Sequence, residues 1–176
     1  MRVERAALDG VLLFTPTPHR DDRGLFTRTF DSVVTAGSGL DPTAFIQDSR
    51  SRSRRGTVRG THGRSGRGEA EPARCARGAV HDVLVDVRPD SPTFGEQISA
   101  LPDDETFVIL HVPPGPPAPT EQTDVRYRID REHDPDEDMS VRYDDPDLRV
   151  HWPLPVSTIS DAGSRARPLF DSNAVG

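Results

Sequence analysis

The segment Thr57–Gly68, "TVRGTHGRSGRG", decides how the chain is read. It holds three arginines, one histidine and four glycines, within 176 residues whose net charge is -7. As one long loop it would be a basic arm for nucleic acid. As a strand running into a loop, it presents one histidine beside arginines to an anionic small molecule. Proteins that grip single strands interleave cations with aromatic rings that stack on bases. Here no Phe, Tyr or Trp lies between Phe45 and Phe94. The acidic balance of the chain also opposes binding to a phosphate backbone. The segment therefore reads as a strand, "TVRGTH", leaving into the loop "GRSGRG", and no nucleic-acid partner is expected.

The rest of the chain has the same grain. Short apolar runs recur at Gly10–Phe14, Leu25–Phe30, Ala44–Ser49, Ala79–Arg88, Phe107–Val112, Val125–Ile129 and Leu148–Trp152. Stretches such as "RPDSPTFGE", "PPGPPAPT" and "DDPD" separate them and read as turns and loops. Short strands at this spacing, with β-branched enrichment, predict an antiparallel sandwich or barrel. One brief helix is expected over Asp31–Gly37, "DSVVTAG", with Asp31 as N-cap and Gly37 as stop. A single domain over residues 1–170 with a loose tail at 171–176 is expected. Seven arginines between Arg50 and Arg67, and nine acidic residues between Asp130 and Asp147, form opposite charge runs suited to face one another.

Several chemistries are excluded. All 22 basic residues are arginine, which removes lysine Schiff bases and a Gly-Lys-Ser phosphate loop. The single Cys75 allows no disulfide framework, and it reads as a small buried strand residue. The six histidines make neither His-x-His nor His-Glu-x-x-His, so no metal is expected. No apolar stretch approaches the roughly 20 residues that span a bilayer. The apolar run near the N-terminus is too short for a signal peptide, so the expected location is cytoplasmic, with no membrane contact.

Four blocks carry a family resemblance: "DDRGLFTRTF", "FIQDSRSRSRRGTVRGTH", "RCARGAVHDVLVDVRPDSPTFGE" and "YRIDREHDP…VRYDDPDLRVHWPLP". In this order they resemble the dTDP-4-dehydrorhamnose 3,5-epimerase family, the sugar-nucleotide epimerase branch of the cupins. The resemblance implies an all-β cupin-type jelly-roll (a double-stranded β-helix) with short peripheral helices. It implies a homodimer with the active site inside the barrel, a nucleotide-sugar substrate and no cofactor. His62, ending "VRGTH", matches the family's catalytic base, and Tyr127, in "VRYRI", its proton-donating tyrosine. Arg59 and Arg23 match arginines that hold the substrate, and Gln47 matches a glutamine near the sugar. A histidine is suited to such work because its ordinary pKa, about 6.5, lies near neutral pH. Strand alternation alone would send Arg59 and His62 to opposite faces, so a bulge or kink at Gly60 is needed to bring them together.

The chain also departs from the family's pattern. Glu71 stands where the family has a lysine facing the enolate, a charge of the wrong sign. Arg64, Arg67 and Arg74 are the candidate substitutes. The family's aspartate that orients the base has no match in "SDAGSRARPLF", where Asp161 lies nearby; Asp82 is a second candidate partner. A Gly-Phe-Ala-His-Gly-Phe strand has become "GPPAPTEQTD", and the second of two paired tyrosines is His133. Three readings follow: an epimerase of a dTDP-4-keto-6-deoxy sugar, a repurposed cupin that isomerises or cyclises another carbonyl compound, or a non-catalytic paralogue.

Overall fold

The computed structural model describes residues 1–60, 62–64, 66–114, 123–146, 148–159 and 164–166. In chain order the strands are β1 (Arg2–Arg5), β2 (Leu12–Thr15), β3 (His19–Asp21), β4 (Gly24–Phe26), β5 (Gln47–Arg52), β6 (Thr57–Val58), β7 (His62–Arg64), β8 (Glu71–Gly78), β9 (Asp82–Val85), β10 (Gln97–Ala100), β11 (Ile109–Val112), β12 (Thr123–Ile129), β13 (Asp138–Ser140) and β14 (Thr158–Ile159). Helix α1 (Ser32–Gly37) lies between β4 and β5.

The fold is all-β. Its frame is a six-stranded antiparallel sheet in the order β1-β2-β11-β8-β12-β5. Against one face stand the shorter ladders: β9 with β10, β7 with β13, and β6 with β14, the last parallel. Leu84 of β9 packs with Leu8, Val11, Leu110 and Val112, which joins the two layers at one end. Every residue of β9 and of β11 is buried, as expected for strands covered on both faces. On the opposite face of the large sheet, Leu12, Phe14 and Ile109 pack with Val34 of α1 and Leu40.

Local chemistry explains the joints. Asp31 caps α1 by accepting from the backbone N–H groups of Val33 and Val34 at 3.0 and 3.2 Å. The helix includes Gly37, and the stop falls at Ser38, with Gly39 taking the positive φ of 86°. The "VRPDSPTFGE" segment closes the β9–β10 hairpin around Asp86. This fully buried carboxylate accepts from Arg88 Nε and Nη2 at 2.9 and 2.7 Å. It also accepts from the hydroxyls of Ser91 and Thr93, at 2.5 and 2.6 Å. Three kinds of donor on one buried carboxyl make that motif a structural clamp.

The strand pattern differs from expectation in two places. β8, "EPARCARG", is a central strand although it has no β-branched residue. Its alternate residues face different surroundings: Ala73 and Cys75 join Val80, Val125 and Tyr127 in a cluster, while Arg74 lies in register with Arg126 on β12. Conversely, Leu148–Trp152 is no strand. Asp145 takes the backbone N–H of Leu148 on its side chain and that of Arg149 on its carbonyl, which makes a turn. Arg149 has a φ of 48°, and Trp152 donates to the carbonyl of Tyr143 at 2.9 Å. The segment 115–122, which includes the expected proline loop, lies outside the described residues, as do Asp161 and the tail.

Candidate active site

The two layers do not close completely. Between them lies a cavity of about 580 Å³, walled by β8 and β12 on one side and by β6, β7, β13 and β14 on the other. Arg59, His62, Glu71, Asp82 and Tyr127 line it, as do Arg64, Arg74, Cys75 and His133.

His62 opens β7, opposite Ser140 of β13. Gly60 interrupts the run between β6 and β7 with a φ of 137°, a backbone conformation that side-chain-bearing residues rarely adopt. The kink lets Arg59 and His62 reach the same space despite their spacing. Arg59 is steadied by donating from Nε to Ser53 Oγ at 2.6 Å. The His62 ring opens onto the cavity, yet the surrounding protein displaces enough water to lower its pKa from the usual imidazole value. The cations of Arg64 and Arg59 push the same way, and Asp138 opposes them. A neutral imidazole is the result at neutral pH, the form that accepts a proton.

Tyr127 stands in the middle of β12, whose alternation turns Val125, Tyr127 and Ile129 toward the cavity. Asp124, Arg126 and Arg128 take the other face. There Asp124 accepts from both Arg50 and Arg52, and Arg128 Nε donates to Asp48 at 3.1 Å. Ala73 sits opposite Tyr127 across the β8–β12 ladder.

The two charge runs meet at the cavity's edge. Arg64 donates from Nε and Nη2 to Glu69 at 2.9 and 2.5 Å, and from Nη1 to Asp138 at 2.6 Å. His133 Nδ1 lies 3.2 Å from Arg64 Nη2. Arg67 pairs with Asp130 at 3.0 Å. Neither Arg64 nor Arg67 is therefore free to replace the lysine. Arg74 neighbours Arg126 and Arg128, and burial together with these like charges lowers its pKa.

Glu71 and Asp82 are the unusual pair. Both line the cavity, and Asp82 is only 4% exposed, with Oδ1 left without a hydrogen-bond partner. Burial, then the Asp82 and Glu69 charges, push the Glu71 carboxyl up to about 8. Burial pushes Asp82 up to about 7. Among the described residues the carboxylate whose charge acts on His62 is Asp138. Of the two partners considered from sequence, Asp82 lines the cavity without that effect and Asp161 lies outside the described residues. The signal for Asp138 was the acidic run itself.

Two expected residues lie elsewhere in the chain. Arg23 occupies the exposed β3–β4 turn, paired with Asp21 at 2.6 Å, and does not reach this cavity. Gln47 faces the cavity side of β5 but sits opposite Ile129, one inward position beyond the Ser49–Tyr127 pair, and does not line it.

A β sandwich with a histidine and a tyrosine on the walls of one interior cavity defines a barrel that encloses its ligand between layers. Among known proteins, a family model described as dTDP-4-dehydrorhamnose 3,5-epimerase matches residues 5–171. The chain belongs to the dTDP-4-dehydrorhamnose 3,5-epimerase family, and its fold is the family's cupin-like jelly-roll. It is 32% identical to the dTDP-4-dehydrorhamnose 3,5-epimerase of Methanothermobacter thermautotrophicus, over 97% of this chain and 96% of that protein. A 4-keto-6-deoxy sugar epimerase from the novobiocin biosynthetic gene cluster of Streptomyces spheroides superposes with a TM-score of 0.91. It is 29% identical, over 98% of this chain and 89% of that one. The dTDP-6-deoxy-D-glucose-3,5-epimerase of Legionella pneumophila, solved in complex with dTDP-4-keto-L-rhamnose, gives a TM-score of 0.88. Its identity is 28%, over 98% of this chain and 95% of that one. No helix among the described residues is long and apolar enough to cross a membrane.

Proposed function

We propose that the chain epimerises a dTDP-4-keto-6-deoxy sugar, at C3, C5 or both, in deoxysugar or specialised-metabolite biosynthesis. The observation that carries this reading is a histidine held toward its neutral form in the same cavity as Tyr127. A hydrogen on carbon beside a ketone is weakly acidic because its electron pair can spread onto the carbonyl oxygen. His62 takes that proton, the C–H pair becomes the double bond of an enolate, and the carbonyl π electrons move to O4. Tyr127, on the other wall, gives its hydroxyl proton to the opposite face of the same carbon, which inverts the centre. The tyrosinate regains a proton from solvent as His62 releases its own. Arg59 supplies positive charge for the diphosphate.

The protein works as a cytoplasmic homodimer of single-domain chains, with no cofactor. The exposed side chains of Leu25, Phe26, Val33 and Ile46 support pairing, because apolar surface of this kind favours burial. The test is proton NMR of dTDP-4-keto-6-deoxyglucose incubated with the protein. New ring coupling constants, as an inverted centre produces, are expected; an unchanged sugar contradicts the reading.

Glu71 at the lysine's position favours a second reading, isomerisation of a different carbonyl compound without a nucleotide. A melting temperature that rises on adding dTDP supports the first reading, because a ligand that binds only the folded state stabilises it. No rise supports the second.

A further inference from the structure

Removing a proton beside a ketone leaves negative charge on oxygen, and catalysis requires a group that meets this charge as it forms. The family resemblance puts a lysine there, and this chain has Glu71. An ionised Glu71 would oppose the reaction, so its surroundings decide whether the site works.

Among the described residues those surroundings oppose an ionised carboxylate more than they favour it. No hydrogen bond or ion pair reaches the Glu71 side chain among the described residues. The groups around it come from every neighbouring element. On its own strand side stands Glu69, on β9 Asp82, on β7 His62 and Arg64, on β13 Asp138, on β12 Tyr127, and between β12 and β13 His133. The adjoining residue on β11 is Val112, which brings no charge. Arg59 and Arg74 line the same cavity, but among the described residues Arg64 is the cation whose charge favours ionised Glu71, and its guanidinium is already paired with Glu69 and Asp138. Asp82 lies buried with Oδ1 unpartnered, so it too lacks a compensating donor. Glu71 is partly exposed and Asp82 buried, and two carboxyls whose charges act on one another do not both ionise readily.

Position favours a role in the reaction. Glu71 is two residues from Ala73, which faces Tyr127 across the ladder. Such diagonal neighbours on one sheet face stand about 7–8 Å apart at Cα, within reach of long side chains acting on one small molecule.

We infer that Glu71 enters the reaction as a neutral carboxylic acid and donates a hydrogen bond to the enolate oxygen, while Asp82 keeps it protonated. This inference rests on the proposed epimerisation. A neutral acid serves an enolate as a donor without bringing the opposing charge. No proton leaves Glu71 overall: His62 takes the carbon-bound proton, Tyr127 supplies the new one, and Glu71 holds its own throughout. Glu71 is thus a catalytic residue, and Asp82 a positioning residue that acts through it. The substitution of lysine by glutamate changes a cationic stabiliser into a neutral one and ties turnover to the acid's titration.

The experiment has two arms. Carbon-13 NMR of the free protein, with labelled glutamate and aspartate carboxyls assigned through E71Q and D82N, reads the titration directly and needs no substrate. Glu71 is expected to titrate near the raised value of about 8, and to fall in D82N. Titration of Glu71 in the ordinary carboxylate range overturns the inference, whatever the activity. The second arm is the pH dependence of kcat on the keto sugar. Wild-type turnover is expected to drop as pH rises through the Glu71 titration, and E71Q, which keeps a neutral donor, is expected to lose that drop. E71A is expected to fall by about 10²-fold or more, the usual cost of one oxyanion donor. An E71Q profile with the same alkaline drop, or E71A turnover equal to wild type, overturns the role of Glu71. A raised titration in a protein with no turnover contradicts the epimerisation, and the catalytic half of this inference falls with it.

Discussion

Arg64 Nη1 donates to Asp138 Oδ1 at 2.6 Å, and β13, which carries Asp138, is the strand that pairs with the strand of His62. Burial acts most strongly on the base, and this pair acts on it from both sides. Arg64 lowers the pKa of His62 and Asp138 raises it, with burial tipping the balance downward.

Asp138→Asn therefore lowers the His62 pKa further. A base works in its unprotonated form, so activity is lost only as pH falls below that pKa. The acidic limb of kcat/KM is expected to begin below the ordinary histidine value and to move lower still in D138N. A pH–rate profile checks both statements; a limb that moves upward contradicts the assignment.

Tyr127→Phe removes the returning proton but leaves the base. Inversion is expected to fall by about 10²- to 10⁴-fold, the usual worth of a positioned acid. Exchange of the substrate's own hydrogen, returned from the side of His62, persists. Chiral analysis of the sugar alongside mass measurement separates the two.

Glu71 and Asp82 leave a mark on stability as well. Their carboxyls are raised to about 8 and about 7, so the folded protein binds protons more tightly than the unfolded chain. Their contribution is complete below pH 4 and is lost as pH rises through their folded titrations. E71Q is expected to raise the melting temperature at pH 8 and leave it nearly unchanged at pH 4. In a chain of this size each kcal/mol is worth about 2–4 °C.

Asp86 has the opposite sign. Its carboxyl is held well below the usual range by the Arg88, Ser91 and Thr93 donors against the cost of burial. Its stabilisation is present above the ordinary carboxylate pKa and disappears as pH falls through the folded value. Asp86→Ala strands these donors and is expected to cost about 3–5 kcal/mol in urea unfolding. A change below about 1 kcal/mol contradicts the clamp.

Much of this was legible in residues with one physical job. Asp31 has the chemistry of a cap, and the alternation Val125, Tyr127, Ile129 turns Tyr127 inward. Gly60 marks the kink that joins Arg59 to His62. β8 escaped notice because neither of its faces is simply apolar: one carries Glu71 into the cavity, the other Arg74 toward Arg126. Leu148–Trp152 alternates like a strand, but the Asp145 turn takes its backbone donors first. The grip of Asp138 on the base depends on β13 pairing with β7, a long-range register that spacing along the chain does not reveal.

The central claim is that His62 removes a proton from carbon beside the substrate's ketone. The most direct measurement is incubation with dTDP-4-keto-6-deoxyglucose in heavy water, following deuterium at C3 and C5 by mass and NMR in wild type and His62→Ala. Deuterium entering the sugar with wild type and not with the variant is the expected result. No deuterium with wild type, or equal entry with both proteins, would contradict it.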